Sequence, residues 1–214
     1  MDNIKKFIWA WLLLLAAGQT DATLIADPDI IWTDPGTSHE IDNAFDGVTL
    51  STNADNGHVL ALGSGIEGVT DWYPAVFGHG LINFPSGGCS GCWSFGFAEL
   101  RADFEALASS VSVEFIDRFA GSAIVEAYDS SGFLISRAES ILDGNSAIEA
   151  DIISLTIIDP TNSIAYILAG ASIGTYGLID RLTWNPVPEP SILALILSGI
   201  LGLGFVRRRK LGSI

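Results

Sequence analysis

The sequence predicts an all-β fold, an antiparallel β-sandwich spanning residues 23–186, and three observations carry that prediction. Apolar and polar residues alternate with period two over much of this span, as in strands with one buried face. Gly, Asn, Asp and Ser interrupt the alternation at short intervals, which marks turns between short strands. Away from the two ends no long stretch carries the 3.6-residue periodicity of an amphipathic helix. Short strands separated by turns and burying one face each pack as two sheets or close as a barrel. No unit recurs at a fixed spacing, which argues against a propeller or solenoid.

The elements follow in order. In "GCWSFGFAELRADFE", Trp93, Phe95 and Phe97 share one parity, and Leu100, Ala102 and Phe104 then alternate with Arg101, Asp103 and Glu105. "AELRADFEALA" could also form a short helix, but its flanking aromatic and β-branched residues favour the strand. "SSVSVEFIDRF" repeats the pattern, with a strand over 111–115 that has Val111, Val113 and Phe115 on one side. "SAIVEAYDSSGFLISRAES" reads as two strands, the first over 124–128, joined at "DSSG", where Asp129 and Gly132 supply turn chemistry. "DIISLTIIDPTNSIAYILAGAS" reads as a second such pair around "DPTNS", its first strand covering 153–157 before Pro160 stops the ladder. "GLIDRLTWN" supplies the last strand, 178–184.

Charge is distributed unevenly. The net charge is -15, yet Lys5, Lys6 and the cluster Arg207, Arg208, Arg209 and Lys210 lie near the ends, leaving Arg101, Arg118, Arg137 and Arg181 as the basic residues between Phe7 and Val206. So few cations cannot neutralise a phosphate backbone, which excludes nucleic acid as a partner. "MDNIKKFIWAWLLLLAAGQTDATL" has a short positive region, an apolar stretch over 7–17 and small residues after it, the order of a secretory signal peptide. The expected division is a signal peptide over 1–22, with cleavage after Gly18 as the alternative to Ala22, then the body, then the C-terminal segment.

The only cysteines, Cys89 and Cys92, precede a stretch of strand periodicity rather than the helix that a redox C-x-x-C opens. Zinc would need further ligands, and His39, His58 and His79 are scattered. In an exported chain a local structural disulfide between the two is the expectation. Neither a G-x-S-x-G elbow nor an H-E-x-x-H helix occurs, so no catalytic residue is assigned and the body is expected to be noncatalytic. Glu99, Asp103, Glu105 and Glu114 fall on the solvent parity of their strands, the ordinary place for carboxylates. Asp180 instead shares the parity of Leu178, Leu182 and Trp184. An inward carboxylate needs donors or a cation, which makes Asp180 a candidate ligand for a structural calcium, the only cofactor considered. Exposed aromatic rings could form a sugar platform, with Trp72 and Tyr73 the candidates least like regular core strand, although large rings more often fill the core.

The chain ends in "VPEPSILALILSGILGLGFVRRRKLGSI". The apolar run 192–206 would extend about 22 Å as a helix, short for a hydrocarbon core of roughly 30 Å. Basic residues after it stay cytoplasmic and place the body outside. Pro188, Glu189 and Pro190, then the apolar segment, then Arg207 to Lys210, resemble the PEP-CTERM sorting signal of Gram-negative bacteria over 187–210, with 211–214 a short extension. The resemblance implies recognition by an exosortase, a membrane-embedded transpeptidase, after export by the Sec translocation machinery. It further implies a precursor held in the inner membrane by a transmembrane helix over 192–206, with its body in the periplasm, and a mature form at the cell surface or in the extracellular matrix. "VEAYDSSGFLI" and "GLIDRLTWN" are loosely similar to the jelly-roll, galactose-binding-like sandwiches that often precede this tail. The expected function is a noncatalytic envelope or matrix protein that binds extracellular polysaccharide. The alternative is a secreted carbohydrate-active hydrolase with paired carboxylates.

Overall fold

The computed structural model describes residues 23–27, 38–52, 59–63, 79–82, 93, 95, 98–117, 120–142, 151–172 and 178–188. Residues 23–187 form one compact unit. Its strands are β1 (Leu24–Ala26), β2 (Ser38–Glu40), β3 (Val48–Thr52), β4 (Leu60–Gly63), β5 (His79–Ile82), β6 (Leu100–Asp117), β7 (Gly121–Tyr128), β8 (Leu134–Leu142), β9 (Asp151–Ile158), β10 (Ile164–Ala171) and β11 (Leu178–Pro186). Every ladder between them is antiparallel, and no helix occurs among the described residues.

β6 organises the fold. Its first half, 100–108, pairs with β3 on one edge and β10 on the other, and β10 continues to β7 and β8. Its second half pairs with β9 on one edge and β11 on the other, and β11 continues to β1 and to β5, β4 and β2. Two antiparallel wings thus share one strand. Leu100, Ala102, Phe104 and Ala108 are buried in the first half, whereas Val111, Val113 and Phe115 are buried in the second, so the inward parity changes at Ser109 and Ser110. The β6–β11 register slips at the same place, because Asn185 pairs with Ser110 but Pro186 pairs with Ala108. An extra residue in one strand turns the pleat over and bends it.

The inward faces of both wings meet in one apolar cluster. Phe104 from the first wing lies 5.6 Å, centroid to centroid, from Trp184 of the second. Trp93 is fully buried, and its indole N–H donates to the carbonyl of Leu81 at 2.8 Å, which satisfies the ring's polar atom in an apolar setting. This is the expected two-layer arrangement, with strands at 111–115, 124–128, 153–157 and 178–184 as the alternation predicts.

Three details differ from the sequence reading. The stretches around 100–105 and 111–115 are one strand of 18 residues rather than two. Trp93 makes an isolated bridge and Phe95 sits in a turn, so regular strand begins only at Leu100. β7 and β8 do form the expected hairpin at "DSSG", but β9 and β10 do not pair with each other. They run end to end along the same edge of β6, and the turn 159–163 carries the chain from one wing to the other.

Candidate ligand-binding face and the sorting segment

Among the described residues, the outer face of the first wing gathers a continuous set of polar contacts. Register places Tyr166 of β10 between Asp103 of β6 and Tyr128 of β7, and Leu168 between Arg101 and Glu126. Arg137 of β8 stands opposite Glu126. Side chains of one parity in adjacent strands lie about 4.5–5.5 Å apart, close enough to bond.

The contacts form a chain across the sheet. Arg101 binds Asp103 through both ends of its guanidinium, with Nε donating to Oδ2 at 2.7 Å and a terminal nitrogen to Oδ1 at 2.6 Å. The same guanidinium lies 3.8 Å from the centroid of the Tyr166 ring. Tyr166 stacks on Tyr128, with centroids 4.9 Å apart and planes 5° from parallel. The Tyr128 hydroxyl donates to Oε2 of Glu126, whose Oε1 accepts from Arg137 at 2.9 Å; Arg137 also donates to Glu139 at 3.1 Å.

Cation, ring, ring, carboxylate and cation therefore follow one another across three ladders. The hydrogen bond to Asp103 is the main cause raising the Arg101 pKa, and the bond to Glu139 does the same for Arg137. Burial pushes the Tyr128 phenol up to about 12, with the bond to Glu126 and that carboxylate's charge adding to the effect, so the hydroxyl remains a donor. Glu126 is 8% exposed. A carboxylate that buried requires donors, and both of its oxygens have one.

Beside this chain Ser51, Thr52, Glu99, Arg101 and Leu168 line an open recess of about 260 Å³. That is smaller than the roughly 300–1,000 Å³ typical of small-molecule pockets.

The residues singled out in the sequence fall differently. Asp180 is half-buried and does not face the core. The β6–β11 register slips between Ile179 and Arg181, Asp180 is the unpaired bulge residue, and the fully buried Ile179 takes the inward position instead. The bulge reverses the parity on which the inward reading depended. Neighbouring Arg181 donates to Oε1 of Glu114 at 3.0 Å, while its Nε lies 2.8 Å from Oε2 in an ion-pair contact outside hydrogen-bond geometry. The bond to Glu114 is the main cause raising the Arg181 pKa; burial opposes it, and Asp180 and Asp27 add negative charge nearby. Among the described residues no three His, Cys, Asp or Glu side chains group as metal ligands. Cys89, Cys92, Trp72, Tyr73, Glu189, Pro190, Arg207, Arg208, Arg209 and Lys210 lie outside the described residues, as do the segments 1–22, 192–206 and 211–214. Tyr128 and Tyr166, which the sequence reading did not single out, are the aromatic pair that the sheet assembles.

At the other end of the body, β11 closes at Pro186, and the Val187 N–H donates to the carbonyl of Leu107 at 2.6 Å. Pro188 then has no N–H to extend a ladder.

No curated protein matches the chain. The K2 cleaved adhesin domain of Lys-gingipain is 12% identical with a TM-score of 0.43, over 78% of this chain and 100% of that one. The K1 cleaved adhesin domain of Lys-gingipain from Porphyromonas gingivalis W83 is 15% identical with a TM-score of 0.35, over 78% and 99%. The CBM22-1–GH10 modules of the Clostridium thermocellum endo-1,4-beta-D-xylanase 10B, solved with xylohexaose, are 9% identical with a TM-score of 0.32, over 78% of this chain and 28% of that one. Likenesses this slight transfer neither ligand nor reaction. Residues 186–210, beginning at the last residue of β11, match the PEP-CTERM protein-sorting motif, and the chain is a PEP-CTERM sorting domain-containing protein.

Proposed function

We propose that this is an exosortase-sorted, exported protein whose body is a noncatalytic module holding extracellular polysaccharide at the cell surface or in an exopolysaccharide matrix. The observation that carries the ligand part is the Arg101–Tyr166–Tyr128–Glu126–Arg137 chain. Its donors and acceptors are fixed in position by one another, and its charges nearly balance. A polyhydroxylated ligand is recognised by such an arrangement of oriented polar groups beside ring surface. The export part rests on the motif at 186–210. Processing there, Sec-dependent export, retention of the precursor by a helix over 192–206, a periplasmic body before processing and a jelly-roll, galactose-binding-like topology all belong to this proposal. So do the Cys89–Cys92 disulfide, a part for Trp72 and Tyr73 in the sugar surface and a calcium ion at Asp180.

Purified 23–187 unit is offered neutral and acidic polysaccharides, with and without calcium, and both retention and release of reducing ends are measured. Retention without reducing ends, weakened about tenfold by Tyr166→Ala, supports the reading, since stacking contacts are worth on the order of 1–3 kcal/mol. Release of reducing ends, abolished by one carboxylate substitution, would establish the competing hydrolase.

A further inference from the structure

The chain enters and leaves the body at one edge. Leu24 of β1 pairs with Trp184 of β11, the Thr23 hydroxyl donates to Asn185, and the Val187 N–H donates to the Leu107 carbonyl, close to where β6 passes between the wings. The apolar run 192–206 begins five residues after Val187, a reach of at most about 18 Å of extended chain. The apolar stretch 7–17 ends six residues before Thr23, a reach of at most about 22 Å. Both reaches are shorter than the roughly 26 Å length of an eight-residue strand.

The turns at this edge carry apolar side chains outward. Leu134 pairs with Tyr128 and Tyr128 with Tyr166, while Ile164, two residues before Tyr166, pairs with Ala108, the residue that Pro186 also meets. The β7–β8 turn therefore lies at the same end of the first wing as the departure of the tail. From the second wing, β9 ends here with Ile158 opposite Ser110, and β8 and β9 lie beside one another. Phe133 is 73% exposed, Leu134 53% and Ile158 74%, and Leu107 is exposed as well. No charged residue occurs in 130–136 or 160–166. The carboxylates of Asp129 and Asp159, which open the two turns, are folded onto the amides of those turns.

We propose that this edge of the body rests on the lipid bilayer, with Phe133, Leu134 and Ile158 set into its interfacial layer. The inference rests on the reading that 192–206 is held in the inner membrane. Apolar side chains gathered on one exposed edge mark a protein or membrane contact, and the short reach from Val187 brings lipid to this edge first. Neither turn carries a lysine or arginine, and the exposed Asp46 and Glu105 lie toward β3, so the contact is apolar insertion rather than attraction to anionic headgroups. A body docked in this way keeps Val187, and the sorting motif that follows it, at the bilayer surface, where a membrane-embedded transpeptidase would meet it.

The full chain is reconstituted in phosphatidylcholine nanodiscs without exosortase, with a benzoylphenylalanine photoprobe at one position at a time, and lipid adducts are measured by mass spectrometry. Ile141, 77% exposed and seven residues or about 23 Å along β8 from Leu134, controls for apolar exposure as such. Phe205, in the apolar run, reports insertion of the tail. The expected result is adducts at Phe205, with those at Phe133 and Ile158 about tenfold above those at Ile141. Phe133→Ser combined with Leu134→Ser should lower the Ile158 yield about tenfold with thermal unfolding unchanged, whereas tethering alone would leave that yield as it was. Adducts at Phe205 with Phe133 and Ile158 no higher than Ile141, or an Ile158 yield unmoved in the folded double variant, would overturn the docking and leave the tail in the membrane. Absence of adducts at Phe205 would overturn the membrane-held tail, and the docking with it.

Discussion

The backbone N–H of Asp159 donates to the carbonyl of Ser109 at 2.8 Å, fastening the turn between β9 and β10 to the residue at which β6 passes between wings. The Asp159 carboxylate stiffens that turn. Oδ1 accepts from the Thr161 amide at 2.9 Å and its hydroxyl at 2.7 Å, and Oδ2 from the Ser163 amide at 2.6 Å and its hydroxyl at 2.8 Å. Burial alone would raise the pKa, but these four donors outweigh it and hold the carboxyl at about 2 instead of 3.8. Because the folded value is the lower one, the stabilisation is present above the unfolded value and is lost as pH falls toward 2. Asp159→Ala should cost about 1–3 kcal/mol at neutral pH, and the gap from the parent chain should narrow in acid. Denaturant unfolding across that pH range measures both.

Gly132 and Asn162 occupy the same position in two turns of like chemistry, with φ of +82° and +56°. Asparagine visits this left-handed region at little cost and glycine at none, whereas a β-branched residue is strained there. Asn162→Gly should change stability by no more than a few tenths of a kcal/mol, while Gly132→Val should lose about 1–2 kcal/mol. Thermal unfolding of the pair separates conformational strain from side-chain contact.

The raised Tyr128 pKa gives the outer face of the first wing a spectroscopic handle. The phenol should ionise near pH 12 rather than 10, seen as absorbance missing from a Tyr128→Phe titration. Glu126→Gln removes a charge that opposes ionisation and should move that step downward. With the folded value above the unfolded one, the stabilisation from Tyr128 is complete below pH 10 and fades as pH climbs to about 12. A Tyr128 that ionises near pH 10 would mean that the hydrogen bond to Glu126 is not formed in solution.

For sorting, Glu189→Ala should leave full-length precursor in the inner membrane, because the motif at 186–210 would lose its one acidic residue while the apolar run and basic end remain. Fractionation with a body-directed antibody distinguishes retained precursor from processed protein. Normal arrival at the surface would remove Glu189 from the processing step.

Local order was legible in the sequence and long-range pairing was not. Leu100, Ala102 and Phe104, and again Val111, Val113 and Phe115, follow period two because one face of each ladder is buried. Nothing local says that Ser109 and Ser110 bend one strand rather than separate two. "DSSG" and "DPTNS" show the limit most clearly. Asp129 accepts from the Ser131 and Phe133 amides much as Asp159 accepts from those of Thr161 and Ser163. Yet the Asp129 N–H closes a hairpin by bonding Phe133, whereas that of Asp159 bonds Ser109 on another strand. Equivalent turn chemistry leaves the partner to be chosen by distant residues. Asp180 was misplaced because a single bulge reverses parity beyond it. Tyr128 and Tyr166 carry the outward parity of β7 and β10, but only the pairing of those strands makes them neighbours.

β11 is gripped along both edges, by β6 on one side and by β1 and β5 on the other, and it is the strand from which the tail departs. The two ends of the body leave together, since the Thr23 hydroxyl donates to Oδ1 of Asn185 at 2.6 Å. Tension applied through residue 187 runs along the axis of β11. It loads the ladder bonds simultaneously in shear instead of peeling them apart one by one.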